Sequence, residues 1–101
     1  MELYSVNGSL SAADGKQEEL LNYLLEAAEE MKSHDPCLIY SVGIDPEDDT
    51  KVYVYEVWQN KDSHQASLQL EVFQNLIAKA KPIIVGMEDY PSLVIKGGKG
   101  I

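Results

Sequence analysis

An α+β domain of the ferredoxin-like kind, βαββαβ, is the fold that the sequence predicts: a four-stranded antiparallel sheet with helices on one face. Three observations lead there. A β-branched and aromatic run, Lys51 to Trp58, passes straight into a helical pattern. An apolar stripe from Leu20 to Met31, with spacings near three and four, marks an earlier helix. The segments then follow the order strand, helix, strand, strand, helix, strand.

Glu2 to Asn7 alternates, with Leu3, Ser5 and Asn7 against Tyr4 and Val6, and is expected as the first strand. Gly8 to Ala13 reads as a small polar connection. Asp14 is placed to cap a helix, with Gln17 completing a capping box. The helix is expected from about Gly15 to Ser33, on a stripe of Leu20, Leu21, Leu24, Leu25, Ala28 and Met31. Asp35-Pro36 ends it. Cys37 to Ile44 is a second strand, with Leu38, Tyr40, Val42 and Ile44 on one face and Cys37 and Ile39 on the other. Asp45 to Asp49 is a turn, so the second strand and Lys51–Trp58 form a hairpin.

Along Lys51–Trp58, Val52, Val54, Glu56 and Trp58 share one face; Lys51, Tyr53, Tyr55 and Val57 share the other. Neither face is plainly polar, whereas a half-exposed strand should alternate. Asn60 or Asp62 caps the next helical region, whose stripe is Leu68, Val72, Phe73, Leu76, Ile77 and Ala80. With no proline or glycine between Asn60 and Lys81, one helix and two short ones are both compatible with it. Pro82 closes it; Ile83 to Asp89 carries no clear signal, and Leu93 to Lys96 reads as the last strand. Two helices cover one side of such a sheet. A second copy is the simplest cover for the other, so a two-fold homodimer packed sheet to sheet is expected.

The 101 residues make one domain, 1–101, with a loose glycine-rich tail at 97–101. Apolar residues are 45%, which excludes a disordered chain. The formal charge of −9, from 17 acidic and 8 basic residues, argues against nucleic acid and against an anionic membrane as partners. A lone cysteine, Cys37, forms no internal disulfide and fits a reducing compartment. With no signal-peptide pattern at the N-terminus, a cytoplasmic location is expected. The acidic turn lacks the glycine and distant Glu of an EF-hand loop.

Cys37-Leu38-Ile39-Tyr40-Ser41-Val42, Asp45-Pro46, Tyr55-Glu56-Val57-Trp58, a helix start after Asn60-Lys61-Asp62, and Phe73 together resemble the antibiotic biosynthesis monooxygenase domain, over about Leu3 to Ala80. The most specific part is the Glu-x-Trp strand end with Phe73 fifteen residues beyond Trp58. The resemblance implies a dimeric α+β barrel with a pocket between sheet and helices. It implies oxidation of a quinol-like or phenolic aromatic by O₂, with no metal or flavin. Many members carry a His nine residues after the Trp; Ser67 stands there, and His64 lies three residues earlier. Haem-degrading relatives use an Asn, a Trp and a His at positions that here hold Asn7, Ser67 and Ile77, so haem is not expected as a cofactor. The family's Ser-Pro-x-Phe bend reads Leu70-Glu71-Val72-Phe73.

His64 is the candidate catalytic base because imidazole titrates near neutrality; the plain alternative is a surface histidine. Asn7, matched by the resemblance, is the second catalytic candidate, against a role as a strand-end residue. Trp58, Tyr40 and Phe73 are candidates for binding a flat aromatic, against simple core packing. Glu56, between Val54 and Trp58 on its face, is a partly buried carboxylate for which a structural partner, a Lys or a backbone donor, is the expected role. No metal-ligand spacing is present. Two other functions fit the same fold: a non-catalytic module holding a small aromatic or haem, and an isomerase or lyase.

Overall fold

A computed structural model describes residues 2–101. The elements are β1 (Tyr4–Ala12), α1 (Gln17–Met31), β2 (Cys37–Gly43), β3 (Lys51–Trp58), α2 (Lys61–Ser67), α3 (Glu71–Ala80), a 3₁₀ turn at Lys81–Ile83, β4 (Ile84–Asp89) and β5 (Leu93–Val94). The strands form one antiparallel sheet in the order β2-β3-β1-β4, with β5 also against β1. This is the ferredoxin-like arrangement, and the sheet is open.

The first strand is longer than the sequence reading allowed. β1 runs on through Gly8–Ala12, pairing with β3 on one side and β4 on the other. Leu10 and Ala12 point toward the helices, where they join the core beside Val52, Leu20 and Leu24. Gly8 is needed here: a Cβ would sit 2.7 Å from the Glu88 carbonyl oxygen of the neighbouring strand. The fourth strand is Ile84–Asp89, the segment without a clear signal, and the expected last strand is only the short β5.

Asp14 and Gln17 do not form a capping box. Lys16 is the N-cap of α1 and makes no side-chain cap bond. Gln17 instead donates through Nε2 to the carbonyls of Asp48 and Lys51, at 2.8 and 2.9 Å, and ties the β2–β3 turn to the helix start. Asn60 caps α2, its Oδ1 accepting from the Ser63 N–H at 2.8 Å. The helical region is two helices. The Ser67 hydroxyl donates to the His64 carbonyl at 2.6 Å, and Leu70 turns extended (ψ 141°) before α3 begins.

The helices cover one sheet face with two linked clusters. One joins Leu20, Leu24 and Ala80 to Val52. The other joins Ala27, Met31 and Phe73 to Trp58. On the outer face, Ser5, Asn7, Ser9 and Ser11 of β1 interleave with Tyr53, Tyr55 and Val57 of β3. That face is less apolar than β3 alone suggests, because β1 brings serines to it. Exposed apolar side chains occur along the whole chain, among them Leu38, Ile77, Val85, Met87, Leu93 and Val94. Among the described residues, no helix is long and apolar enough to cross a membrane.

Candidate functional site

Strand alternation puts Glu56 on the helix-covered face of β3, between Val54 and Trp58. Pairing across the sheet sets it opposite Val6 of β1 and Tyr40 of β2. A bulge in β2 at Leu38 shifts the register between Cys37 and Ile39. Cys37 and Tyr40 therefore both turn inward, against the cluster around Trp58, while Leu38 is left exposed. The expected grouping of Leu38 with Tyr40 is corrected by this one extra residue.

The Trp58 indole N–H donates to Glu56 Oε1 at 2.9 Å. His64, carried over the strand end by α2, brings Nε2 to 3.9 Å from the same oxygen. Both side chains are nearly enclosed, with 15% of His64 and 14% of Glu56 exposed. The other imidazole nitrogen, Nδ1, is buried and has no hydrogen-bond partner among the described residues. A buried polar atom left without a partner costs about 1–3 kcal/mol. Aromatic rings close the site. Trp58 meets His64 edge-on with centroids 5.6 Å apart, and Tyr4 stands 6.0 Å from His64. Tyr40 and Phe73 lie tilted against each other with centroids 5.7 Å apart.

Burial governs the protons. It raises the Glu56 carboxyl from its ordinary 4.5 to about 7, against a smaller downward pull from the indole N–H. It lowers His64 below 6.5. Burial also pushes the Cys37 thiol up to about 11 and the Tyr40 phenol upward, with the Glu56 charge adding to both. Attraction within a Glu56–His64 ion pair would move both groups the other way. At 3.9 Å the contact is too long for a hydrogen bond, so desolvation prevails and each group favours its neutral form.

His64, Trp58, Tyr40 and Phe73 are thus brought together. Asn7 is not with them. It lies on the outer face opposite Tyr55, beside a shallow cleft of about 350 Å³ that Tyr53, Tyr55 and Tyr90 also line. Glu56, read from sequence as a structural carboxylate, sits at the centre of the helix-side site, and its partner is an indole rather than a lysine. Its place between Val54 and Trp58 was the available signal. A cleft of about 330 Å³ opens between α1 and β2 at Leu25, Met31 and Leu38 and reaches Cys37 and Tyr40. A larger one, about 540 Å³, runs between α1 and α3, where Glu26, Glu29, Glu30 and Glu71 line it together with Tyr23 and Lys79.

A model of the antibiotic biosynthesis monooxygenase family matches residues 3–79. The chain belongs to the antibiotic biosynthesis monooxygenase family. Among solved structures, a candidate antibiotic biosynthesis monooxygenase from Chloroflexus aurantiacus is 35% identical, with 98% of each chain covered and a TM-score of 0.86. Another from Deinococcus radiodurans is 23% identical over 98% of this chain and 95% of that one, at a TM-score of 0.76. A Pseudomonas aeruginosa protein, 18% identical, covers 96% of this chain and 97% of its own at 0.86. The last two speak for the fold alone. No curated protein matches the chain. The family match covers the Glu56, Trp58, His64 and Phe73 site and ends just before the 3₁₀ turn.

Proposed function

We propose that this protein is a monooxygenase that oxidises a quinol-like or phenolic aromatic with O₂, using no metal or flavin and acting as a two-fold dimer. The observation that carries the reading is the enclosed Glu56–His64 pair inside a shell of aromatic rings, in a chain of this family. A phenol stripped of its proton is electron-rich enough to reduce O₂ by one electron. The phenoxyl radical and superoxide then join at a ring carbon that bears hydrogen, giving a peroxide anion. Protonation makes the hydroperoxide. Loss of the C–H proton with O–O cleavage leaves a new carbonyl and one water. One oxygen atom enters the product, the other leaves as water, and all four electrons come from the substrate.

Such a reaction needs a flat apolar site, a group that takes and returns one proton, and exclusion of bulk water. Tyr40, which lines the cleft beside Cys37, meets the first need, with the buried Trp58 and Phe73 packed behind it, and the titrating pair meets the second. The cleft ending at Cys37 and Tyr40 is the route by which a planar ring would approach. The helices and rings around the pair, which leave only 15% of His64 and 14% of Glu56 exposed, meet the third need, while a second copy covers the outer face, where Tyr55 is 40% exposed. Oxygen uptake with a panel of hydroquinones and anthrone-type phenols tests this. Protein-dependent uptake that falls in His64→Ala and persists in Asn7→Ala is expected. Uptake equal to buffer with every substrate overturns it.

A further inference from the structure

We infer that Glu56, rather than His64, takes the hydroxyl proton from the aromatic substrate, and that His64 is a positioning residue packed against the carboxyl. This assignment rests on the oxygenase reading above. It starts from the hydrogen bonds. Glu56 Oε1 is engaged by the Trp58 N–H at 2.9 Å and approached by His64 Nε2 at 3.9 Å. Oε2 takes no hydrogen bond among the described residues, so this oxygen is free to accept a proton. His64 is poorly placed to be the acceptor itself. Its Nε2 is turned toward the carboxyl, and any charge it gained would be carried in a shell of rings where burial already opposes it.

The surroundings favour a group that changes charge easily. Facing Glu56 are Cys37 and Tyr40 from β2, Tyr4 and Val6 from β1, and His64 from α2, with His34 behind the indole at 6.0 Å from its ring. No lysine or arginine is among them, so no fixed positive charge holds the carboxylate ionised. Cys37 and Tyr40 stay neutral to well above neutral pH. The carboxyl is therefore a group in this shell whose protonation alternates near neutrality, which is what a proton acceptor and returner needs.

The proton balance closes on Glu56. The carboxylate takes the O–H proton, and the phenolate is left with its electron pair. After oxygen adds, Glu56 gives that proton to the peroxide anion and returns to carboxylate. The C–H proton and the departing hydroxide make the water, so the enzyme ends as it began.

Trp58 is the single tryptophan and touches the carboxyl directly, so its fluorescence reports the ionisation without any substrate. His34 and His64 also lie against the indole, so the titration is read in a His34→Gln/His64→Gln protein. A midpoint near 7 is expected, and adding Glu56→Gln should flatten the curve. In oxygen uptake, Glu56→Gln should lower kcat/KM by about 10²-fold or more and abolish its acid limb, while Glu56→Asp retains a displaced limb. A flat titration, or one that Glu56→Gln leaves in place, overturns the assignment. So does an acid limb that survives Glu56→Gln and disappears in His64→Gln. If the titration behaves as expected but no phenol is consumed, the oxygenase reading fails and the catalytic role with it, while the carboxyl's ionisation stands.

Discussion

Replacing Glu56 with Gln is expected to stabilise this protein above neutral pH and to do nothing at low pH. The sign follows from where the proton sits. Burial raises the Glu56 carboxyl from 4.5 to about 7, so between those values the folded chain holds a proton that the unfolded chain has released. Folding stability is therefore complete below the unfolded value and falls as pH rises through the folded one. At 1.36 kcal/mol per unit, the carboxylate costs about 3 kcal/mol once pH exceeds about 8. Gln keeps the shape and can still accept the Trp58 N–H, but it never ionises. His64, lowered by burial, pulls in the opposite sense below 6.5, and comparing the two proteins largely removes that contribution.

Urea unfolding followed by Trp58 fluorescence at fixed protein concentration measures the effect. At a slope of about 1–1.5 kcal/mol per M, the Glu56→Gln midpoint should exceed the native one by about 2 M at pH near 8. The two midpoints should converge as pH falls toward about 4.5. A Glu56→Gln protein that is weaker at both ends, or shifted equally at both, would refute the claim that burial controls this carboxyl. A stabilising loss of a charged group has a further meaning. Where a stabilising substitution costs activity, the residue belongs to the working site, so the same variant should lose oxygen uptake as it gains stability.

Gly8→Ala should drive the new Cβ to 2.7 Å from the Glu88 carbonyl and part β1 from β4, costing about 1–3 kcal/mol; a thermal melt lowered by roughly 5–15 °C is expected, and an unchanged Tm would show slack in that pair. Gln17→Ala should remove both bonds to the β2–β3 turn for about 1–2 kcal/mol, seen as a lower urea midpoint with an unchanged slope. Tyr55→Glu places a charge on the sheet's outer face, where a second copy is proposed to pack; sedimentation at micromolar concentration should change from twice the 11.2 kDa chain mass to the single chain, with the circular dichroism retained. A protein that sediments as one chain before any substitution would remove the dimer from the proposal.

The helix-side chemistry was partly legible in the residues, and the reason is periodicity. Alternation in Lys51–Trp58 names the neighbours of Glu56 on its own strand, and the stripes of α1 and α3 name what covers them. What alternation cannot supply is how strands line up with each other. Gly8-Ser9-Leu10-Ser11-Ala12 has the composition of a loop, yet it is strand, because its serines face outward beside Tyr53 and its glycine admits the β4 backbone. Ile84–Asp89 carries no clear sequence signal for a related cause: at an edge its side chains stay largely exposed, so no burial pattern marks it. Gln17 looked like half of a capping box, but its partners are more than thirty residues away.

The bulge at Leu38 matters most. Strict alternation sends Cys37 and Tyr40 to opposite faces, and a regular strand could bring only one of them to the carboxyl. The extra residue turns both inward, replaces solvent on that side of Glu56 with a thiol and a phenol ring, and so supplies part of the desolvation that holds the proton. Deleting Leu38 would restore alternation and swing Cys37 out of the shell. The Glu56 carboxyl should then titrate closer to 4.5, with the Trp58 fluorescence midpoint following it down. If the midpoint stays near 7, the helices alone set the carboxyl's environment, and the bulge is incidental to the site.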